Sequence, residues 1–379
     1  MSDHLAEARR HSLAASVDDA HVLVTTGSGG VGKTTSAAAI GLAAARRGRR
    51  TLVLTIDPAR RLAQAMGIDE LDDEPARVEV PDAADGGELW AMMLDMQTTF
   101  DRLIDRHATS RERADNIKQN RIYRTLSSTL SGTQEYMAME RLHELHDTGE
   151  WDLLVVDTPP TRSALDFLDA PNRMTSFLEG RLLSLLMRPG MAAGKRVGRV
   201  VGFGATTFMK VAGRVTGMDL LDDLASFFRN FEGMYEGFKE RAEQVRDLLQ
   251  QPSSRFVVVT SADPPPLREA KFFLERLEQE GLHAAGVVVN RIRPEIPRDP
   301  SDAALQRAVE AQGDDDEGQA VAGALALLAD VRNLANRQRR DVAAALYGVP
   351  VPSLVEVPLY GRDVHDLDGL RAIADTLTA

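Results

Sequence analysis

The chain has 379 residues, a formal net charge of -12 at pH 7 and no cysteine. Its length allows one large α/β domain or two smaller ones, and its acidity disfavours a nucleic-acid binder of the usual basic kind. Because the chain has no cysteine, it has no disulfides or thiolate metal sites. Residues 1–20 are polar, and the chain has no long apolar run. These two features predict a cytoplasmic protein without stable membrane insertion.

Short, apolar, β-branched segments alternate with helical ones along most of the chain. Such segments are typical of parallel strands that are covered on both faces, and in chain order they are 22–26, 51–56, 89–94, 152–156, 255–260, 284–289 and 354–357. Between these segments, apolar residues recur at the spacing that is typical of helices, as at 266–279 and 320–346. The alternation predicts an α/β fold, a doubly wound and mostly parallel sheet with right-handed crossovers.

The first predicted strand leads into a glycine-rich turn. This turn reads Gly27-Ser28-Gly29-Gly30-Val31-Gly32-Lys33-Thr34-Thr35, and a helix-forming stretch follows it. The segment matches the phosphate-binding pattern G-x-x-x-x-G-K-[ST], in which Lys33 reaches the β- and γ-phosphates and the Thr34 hydroxyl ligates Mg²⁺. A turn that serves packing alone would need neither Lys33 nor Thr34. The segment therefore predicts nucleotide binding.

Two later strands each end at an aspartate. Asp157 closes the apolar run 153–156, a pattern that delivers a carboxylate to Mg²⁺ and its waters. Asp57 follows the strand 51–56, where it would orient an attacking water or cap the next helix. On the residues alone both roles of Asp57 remain open.

The choice of base follows from a late strand. GTP-binding P-loop proteins usually carry an Asn-Lys-x-Asp segment there, whereas this chain has Asn290-Arg291-Ile292 without the aspartate. ATP is therefore the predicted nucleotide.

Together these motifs resemble those of the ArsA-like ATPases, the family of the arsenite-pump ATPase and of the guided-entry ATPase that targets tail-anchored membrane proteins. The resemblance covers nearly the whole chain and is carried by 27–35, 57–59, 131–135, 157–161, 289–290 and 357–359. It implies ATP and Mg²⁺ as cofactors, with Thr34, Asp57 and Asp157 around the metal. It also implies that Asp57 activates water and that the adenine is held by Asn290, Pro358 and Leu359.

Two features depart from the family pattern. Ser28 stands where the family's deviant P-loop has a lysine that reaches the partner's nucleotide across a dimer interface. Serine cannot supply this cation, and three alternatives remain open. The cation would come from another residue of the chain, for which Arg60, Arg61 and Arg162 are the candidates. Otherwise a lysine-bearing paralogue in a heterodimer would supply it, or no residue would. The absence of cysteine removes the arsenite-binding thiols and the zinc clasp of the relatives, so thiolate-based activation is not expected.

The motifs also predict the organisation of the chain. We expect a polar extension (1–20), a first part of the ATPase core (21–171), a helical insert (172–250) and a second part of the core (251–379). Within the insert, residues 181–218 hold seven basic residues and no acidic one. This composition suits a groove for hydrophobic client helices, which the resemblance places here, and it also suits core or dimer packing.

The expected function is a Mg²⁺-dependent ATPase that works as a homodimer or as a heterodimer with a paralogue. ATP would open and close a hydrophobic groove for client helices or a membrane-protein partner, with no role for nucleic acid. The alternatives are a soluble subunit of an anion pump and a MinD/ParA-like positioning switch.

Two further segments are assigned no function. Glu140-x-x-His143 is half of a di-metal pattern, and the chain has no second copy of it. Residues 312–318 are interpreted as a solvated acidic loop.

Overall fold

The computed structural model describes residues 3–56, 61–68, 70–120, 123, 133–158, 235–297, 299–313, 315–361, 363–364 and 366–379. These residues fall into two compact units. The first contains the described residues of 3–93, 148–158 and 249–379, and the second contains those of 94–147 and 235–248.

All strands of the described residues belong to the first unit. They are β1 Val22–Thr26, β2 Arg50–Thr55, β3 Ala76–Val78, β4 Glu88–Met93, β5 Leu153–Asp157, β6 Ser254–Ser261, β7 His283–Ile292 and β8 Leu354–Pro358. They form one sheet in the order β3-β4-β2-β5-β1-β6-β7-β8. The short edge strand β3 runs antiparallel to β4, and the other neighbours are parallel.

The described residues also contain helices in both units. They are α1 Asp3–Ala8, α2 Ala14–Asp19, α3 Lys33–Arg46, α4 Arg61–Met66, α5 Met96–His107, α6 Arg111–Gln119, α7 Thr133–Asp147, α8 Tyr235–Gln250, α9 Pro264–Gln279, α10 Asp302–Glu310, α11 Asp316–Ala345 and α12 Leu367–Thr378. None of these helices combines the length and apolarity that a membrane span requires.

The predicted α/β fold with a mostly parallel sheet is confirmed. Each predicted strand is present, with ends shifted by three residues at most, because continuous apolar runs mark strands that are buried on both faces. The sequence analysis missed β3, whose three residues are too few to show a period. The sequence analysis also predicted a loop over residues 312–318. This prediction is wrong for 316–318, which form the first turn of α11. Asp315 caps this helix by accepting a 2.8 Å hydrogen bond from Gly318 N.

The core of the first unit lies between the sheet and α3. The inner strands β1 and β5 are buried along their whole length, and α3 is rich in alanine, so its backbone lies close to the sheet. At Gly41 of α3 an added Cβ would lie only 2.4 Å from Val53 Cγ2. This close packing holds the N-terminus of α3 at the carboxyl end of β1, where the glycine-rich turn lies.

The segment predicted as a polar extension, 1–20, contains α1 and α2. Its apolar residues Leu5, Leu13 and Val17 are buried, and Leu13 N donates a 2.8 Å hydrogen bond to Leu377 O of α12. These contacts make α1 and α2 part of the first unit.

The described residues of the second unit contain α5, α6, α7 and most of α8, and no strand. Glu140 of α7 is buried, and its Oε1 lies 3.2 Å from Arg241 Nε of α8 and 3.5 Å from Arg106 Nη1 of α5. His143 pairs with Asp147, one turn further along α7, at 2.9 Å. Glu140 and His143 thus both contact ionisable side chains of the second unit, and no cluster suited to holding a metal occurs among the described residues.

Candidate nucleotide-binding site

The glycine-rich turn after β1 has a backbone that only glycine accommodates at two positions. Gly27 and Gly32 have φ angles of 146° and 100°. A Cβ at Gly27 would lie 2.0 Å from Val259 O, and one at Gly32 would lie 2.1 Å from Asn290 Nδ2. The turn therefore packs tightly against the ends of β6 and β7, which fixes the direction of its backbone.

Lys33, the first residue of α3, is buried within this turn. Its Nζ donates hydrogen bonds of 3.0 Å to Gly27 O and to Ser28 O. A buried ammonium group at a helix N-terminus, surrounded by a glycine-rich turn, forms a site for an anion such as phosphate. The structure thus places the Lys33 ammonium within the turn, and its contact with the β- and γ-phosphates stays a prediction.

Thr34 and Asp157 meet at the edge of this site. Thr34 Oγ1 donates a 2.7 Å hydrogen bond to Asp157 Oδ2, and Thr55 Oγ1 donates one of 2.9 Å to the same oxygen. The pairing of β5 with β1 and β2 sets Asp157 beside Thr25 and Thr55, so the sheet itself brings the carboxylate to the loop.

Hydroxyl and carboxylate oxygens are the ligands that Mg²⁺ prefers. The donor set of Thr34 and Asp157 therefore fits this metal. The Mg²⁺ would be held by these two side chains together with phosphate oxygens of the nucleotide.

A cavity of about 430 Å³ opens beside the loop. Its walls combine P-loop residues with residues that follow β7 and β8; they include Gly30, Gly32, Lys33, Thr34, Thr35, Gln64, Thr158, Asn290, Arg291, Pro358, Leu359, Tyr360 and Asp363. This volume lies in the range of small-molecule sites. The lining combines cationic and hydroxyl groups with the apolar side chain of Leu359, which is exposed.

Asn290 connects the end of β7 to the loop. Its Nδ2 donates a 2.8 Å hydrogen bond to Val31 O, and its Oδ1 accepts one of 2.9 Å from Arg291 N. These bonds use half of the hydrogen-bonding capacity of the amide. Asn290 shares the cavity with Pro358 and Leu359, and adenine contact by these three residues stays a prediction.

Two contacts of the loop were missed by the sequence analysis. Ser28 Oγ donates a hydrogen bond of 2.5 Å to Glu269 Oε2 of α9, and Arg291 Nη1 donates one of 3.3 Å to Gly30 O. Glu269 lies in an amphipathic helix without a motif, so nothing local indicates its role. Arg291 follows Asn290 directly, and its φ of 58° is a strained value for a non-glycine residue.

Several predicted residues lie outside the described part of the chain. They are Asp57, Arg60 and Arg162, together with 131–132; for Arg61 and 133–135 only the backbone is described. Ile56 N donates a 3.2 Å hydrogen bond to Asp157 O, so β2 ends beside β5 at the loop edge of the sheet. The role of Asp57 as water activator and metal ligand stays a prediction.

A mostly parallel sheet with a glycine-rich turn, a buried lysine and a Thr–Asp pair defines an α/β protein of the P-loop NTPase class. The family model described as Anion-transporting ATPase matches residues 20–314, and the chain belongs to this family, the ArsA ATPases.

Individual relatives agree with this assignment. The chain is 26% identical over 282 residues to a putative arsenical pump-driving ATPase of Prosthecochloris vibrioformis, covering 72% of this chain and 61% of the relative. It is 22% identical over 289 residues to the putative arsenical pump-driving ATPase 1 of Aquifex aeolicus, covering 72% and 64%. The ATPase GET3 of Malassezia globosa is 26% identical over 266 residues, covering 70% and 71%. The matched region thus spans less than two thirds of the length of the two pump-driving relatives.

Proposed function

We propose that the protein binds and hydrolyses ATP with Mg²⁺ in the cavity beside Lys33. The observation that carries this proposal is the 2.7 Å contact between Thr34 Oγ1 and Asp157 Oδ2. A threonine hydroxyl and a buried carboxylate, brought together at the end of a phosphate-binding turn, form the protein half of a Mg²⁺–nucleotide site. Membership of a family of ATPases supports the same activity.

Each group of residues at this site would have a separate role in ATP binding and hydrolysis. The backbone N–H groups of the loop and the Lys33 ammonium would bind the β- and γ-phosphates and neutralise charge as it shifts in the transition state. Mg²⁺, held by Thr34 and Asp157, would supply further neutralisation of the phosphates. Asp57, at the end of the neighbouring strand, would orient the attacking water. The adenine would lie toward Asn290, Pro358 and Leu359.

The biological role proposed for this ATPase is that of a cytoplasmic dimer that handles hydrophobic membrane-protein segments. The similarity to a relative named ATPase GET3 supports it, as does the basic, methionine-containing composition of 181–218. That segment lies outside the described residues. The names of the pump-driving relatives favour a second candidate, a soluble ATPase subunit of an anion pump. In that case activation would not use thiolates, because the chain has no cysteine.

The ATPase proposal is tested by calorimetric titration of ATP and by phosphate release, each with Mg²⁺ and with EDTA. We expect wild type to bind and hydrolyse ATP in a Mg²⁺-dependent manner. Asp157→Asn should lose most of the Mg²⁺ dependence, whereas Asp330→Asn, a change of the same kind at an exposed site on α11, should behave as wild type. Wild type that does not bind ATP, or Asp157→Asn with wild-type hydrolysis, would contradict the proposal.

The client proposal needs a separate test. A synthetic helix of about 20 apolar residues, the length of a membrane span, serves as the probe for capture. The variant with Met187, Met191 and Phe208 changed to serine should lose capture and keep the ATPase rate of wild type. Normal capture by this variant would exclude the insert as the client groove.

A further inference from the structure

The pairing of β7 with β8 is irregular where these strands reach the nucleotide cavity. Val289 is paired with Glu356, and the next pair joins Ile292 to Pro358. Residues 290–291 of β7 therefore oppose a single residue of β8. Such an extra residue is a β-bulge, which bends the strand and changes the direction of its side chains. We call this irregularity the β7 bulge.

The β7 bulge and the strand beside it form one wall of the cavity. Asn290 and Arg291 belong to the bulge, Pro358 ends β8 and Leu359 follows it, and all four line the cavity. Leu359 N donates a 2.8 Å hydrogen bond to Ile292 O, which continues the pairing of the two chains beyond the bulge. Because Leu359 is attached to the far side of the bulge, the conformation of the bulge determines the separation of Asn290 and Leu359.

Arg339 of α11 contacts both sides of the β7 bulge. Its Nη2 lies 3.0 Å from Oε2 of Glu356, which belongs to the last regular pair before the bulge. Its Nη1 donates a 2.9 Å hydrogen bond to the backbone oxygen of Arg293, which directly follows the first pair beyond the bulge. A guanidinium group is planar and rigid, so it fixes the spacing of the groups that it joins. Arg339 therefore restrains the length of the bulge.

Neighbouring side chains support these two contacts. Gln338 Oε1 accepts a 3.0 Å hydrogen bond from Arg293 N, so consecutive residues of α11 bind both backbone polar groups of Arg293. On the other side of the bulge, Glu356 Oε1 lies 2.7 Å from Arg9 Nη2. The side chains of Glu356 and Arg339 are only 20% and 17% exposed, so salt screens their attraction less than it would at an open surface.

We propose that Arg339, together with Gln338, is a positioning residue for the nucleotide base. By fixing the β7 bulge, it keeps Asn290 and Leu359 at the separation that the base requires. The role of Arg339 rests on the proposed function, in which the adenine lies toward these residues. No residue of α11 lines the cavity, whose walls are known for the described residues, so Arg339 acts through Asn290 and Leu359 and not by contact with the nucleotide.

The phosphates of the nucleotide depend on a different part of the protein. The glycine-rich turn and Lys33 would bind them, and Gly27 anchors this turn against β6. Loss of Arg339 should therefore weaken contacts to the base more than contacts to the phosphates. If Arg339 only attached α11 to the sheet, its loss would weaken the binding of every ligand to the same extent.

The experiment compares ATP, GTP and inorganic tripolyphosphate, which has no base, by titration calorimetry of the full chain with Mg²⁺. Arg339→Met retains the length of the side chain and removes the guanidinium, while Glu356 keeps Arg9 as its partner. We expect the ATP affinity to fall about tenfold, since misaligned hydrogen bonds and packing at the base cost about 1.4 kcal/mol for this change. The preference for ATP over GTP should fall as well, whereas the tripolyphosphate affinity should remain that of wild type. Arg340→Met, at the exposed neighbouring position, is the matched control and should bind all three ligands as wild type.

A second pair of variants tests the same bulge without changing Arg339. Gln338→Leu removes the acceptor for Arg293 N and should lower the preference for ATP over tripolyphosphate, whereas Gln338→Glu keeps an acceptor and should retain this preference. This pair decides the question if Arg339→Met does not fold, which circular dichroism and denaturant unfolding show.

Three outcomes would count against the proposed role of Arg339. Folded Arg339→Met with the ATP affinity of wild type, or with equal losses for ATP and tripolyphosphate, would overturn it. So would Gln338→Leu with an unchanged preference for ATP. Wild type that binds no ATP would refute the proposed function itself, and the role of Arg339 with it.

Discussion

Ser28 Oγ donates a 2.5 Å hydrogen bond to Glu269 Oε2, and this contact brings a carboxylate of α9 to the phosphate-binding turn. The backbone oxygen of the same serine accepts a 3.0 Å hydrogen bond from Lys33 Nζ. Ser28 thus connects Glu269 and Lys33 through two hydrogen bonds. At the position where the resemblance of the sequence implies a lysine, this chain has a serine whose hydroxyl donates a hydrogen bond to a carboxylate.

The first prediction concerns this carboxylate. Glu269→Gln keeps a hydrogen-bond acceptor for Ser28 and removes one negative charge next to a site that binds phosphates. We expect ATP to bind roughly 2–5-fold more tightly at low ionic strength, with a smaller effect at high salt because exposed charges are screened. Titration calorimetry measures the ATP affinity at low and at high salt. Glu278→Gln, at an exposed position of the same helix, is the control; equal effects of the two variants would exclude a specific role of Glu269.

The second prediction concerns Lys33. Lys33→Ala removes the buried cation of the turn, and we expect ATP affinity to fall at least about 100-fold, since charge-assisted hydrogen bonds to phosphate contribute about 1.5–3 kcal/mol each. Lys271→Ala, on the partly exposed surface of α9, should bind ATP as wild type. Equilibrium binding of a fluorescent ATP analogue distinguishes them, and retention of affinity in Lys33→Ala would exclude this lysine from the site.

The third prediction concerns Asp57. Asp57→Asn should bind ATP with nearly normal affinity and hydrolyse it about 10²–10⁴-fold more slowly, because the positioned group that takes part in proton transfer is lost. Single-turnover hydrolysis with saturating enzyme separates the chemical step from binding. An unchanged rate would remove Asp57 from the mechanism and leave the helix cap as its role.

The fourth prediction concerns Gly32, which has a φ of 100° and lies against Asn290. Gly32→Ala should lower the free energy of unfolding by about 1–3 kcal/mol through backbone strain, and it should also abolish ATP binding because the new Cβ displaces the Asn290 amide. Gly281→Ala is the matched control, since Gly281 has a φ of 69° with open space around it. This control should lose some stability and retain ATP binding. Denaturant unfolding and calorimetry give the two quantities, and normal ATP binding by Gly32→Ala would show that the contact with Asn290 is not needed.

The fifth prediction concerns Glu140 in the second unit. Burial raises the pKa of its carboxyl group from 4.5 to about 7, although Arg241 and Arg106 beside it act in the opposite direction. The folded state then binds more protons than the unfolded state between these values. The stability contributed by this group is full below pH 4.5 and is lost as the pH rises through about 7.

The measurement is the free energy of unfolding of wild type and of Glu140→Gln at several pH values. From acidic pH to pH 8 the stability of wild type relative to the variant should fall, by a few kcal/mol at most, since one pKa unit corresponds to about 1.4 kcal/mol. Comparing the two proteins cancels the titration of groups that they share. A constant difference across this range would show that the folded pKa of Glu140 is not raised.

The sequence was sufficient for features that are encoded locally. The apolar runs predicted the parallel strands because burial on both faces imposes a continuous pattern. The glycine-rich turn with Lys33 and Thr34 predicted the phosphate site because contiguous residues build it. The resemblance carried by the motifs led to the family, which the match over residues 20–314 confirmed.

The tertiary structure decided which distant residues meet. Thr34 and Asp157 are 123 positions apart, Ser28 and Glu269 are 241 apart, and Asn290 and Val31 are 259 apart. These pairs follow from the strand order, which places β5 and β6 on either side of β1, and no local pattern contains that order. Exposure is decided in the same way. The sequence alone shows an apolar run at 320–329 of α11, and only the tertiary structure shows that none of these residues is buried, because burial is a property of the whole fold.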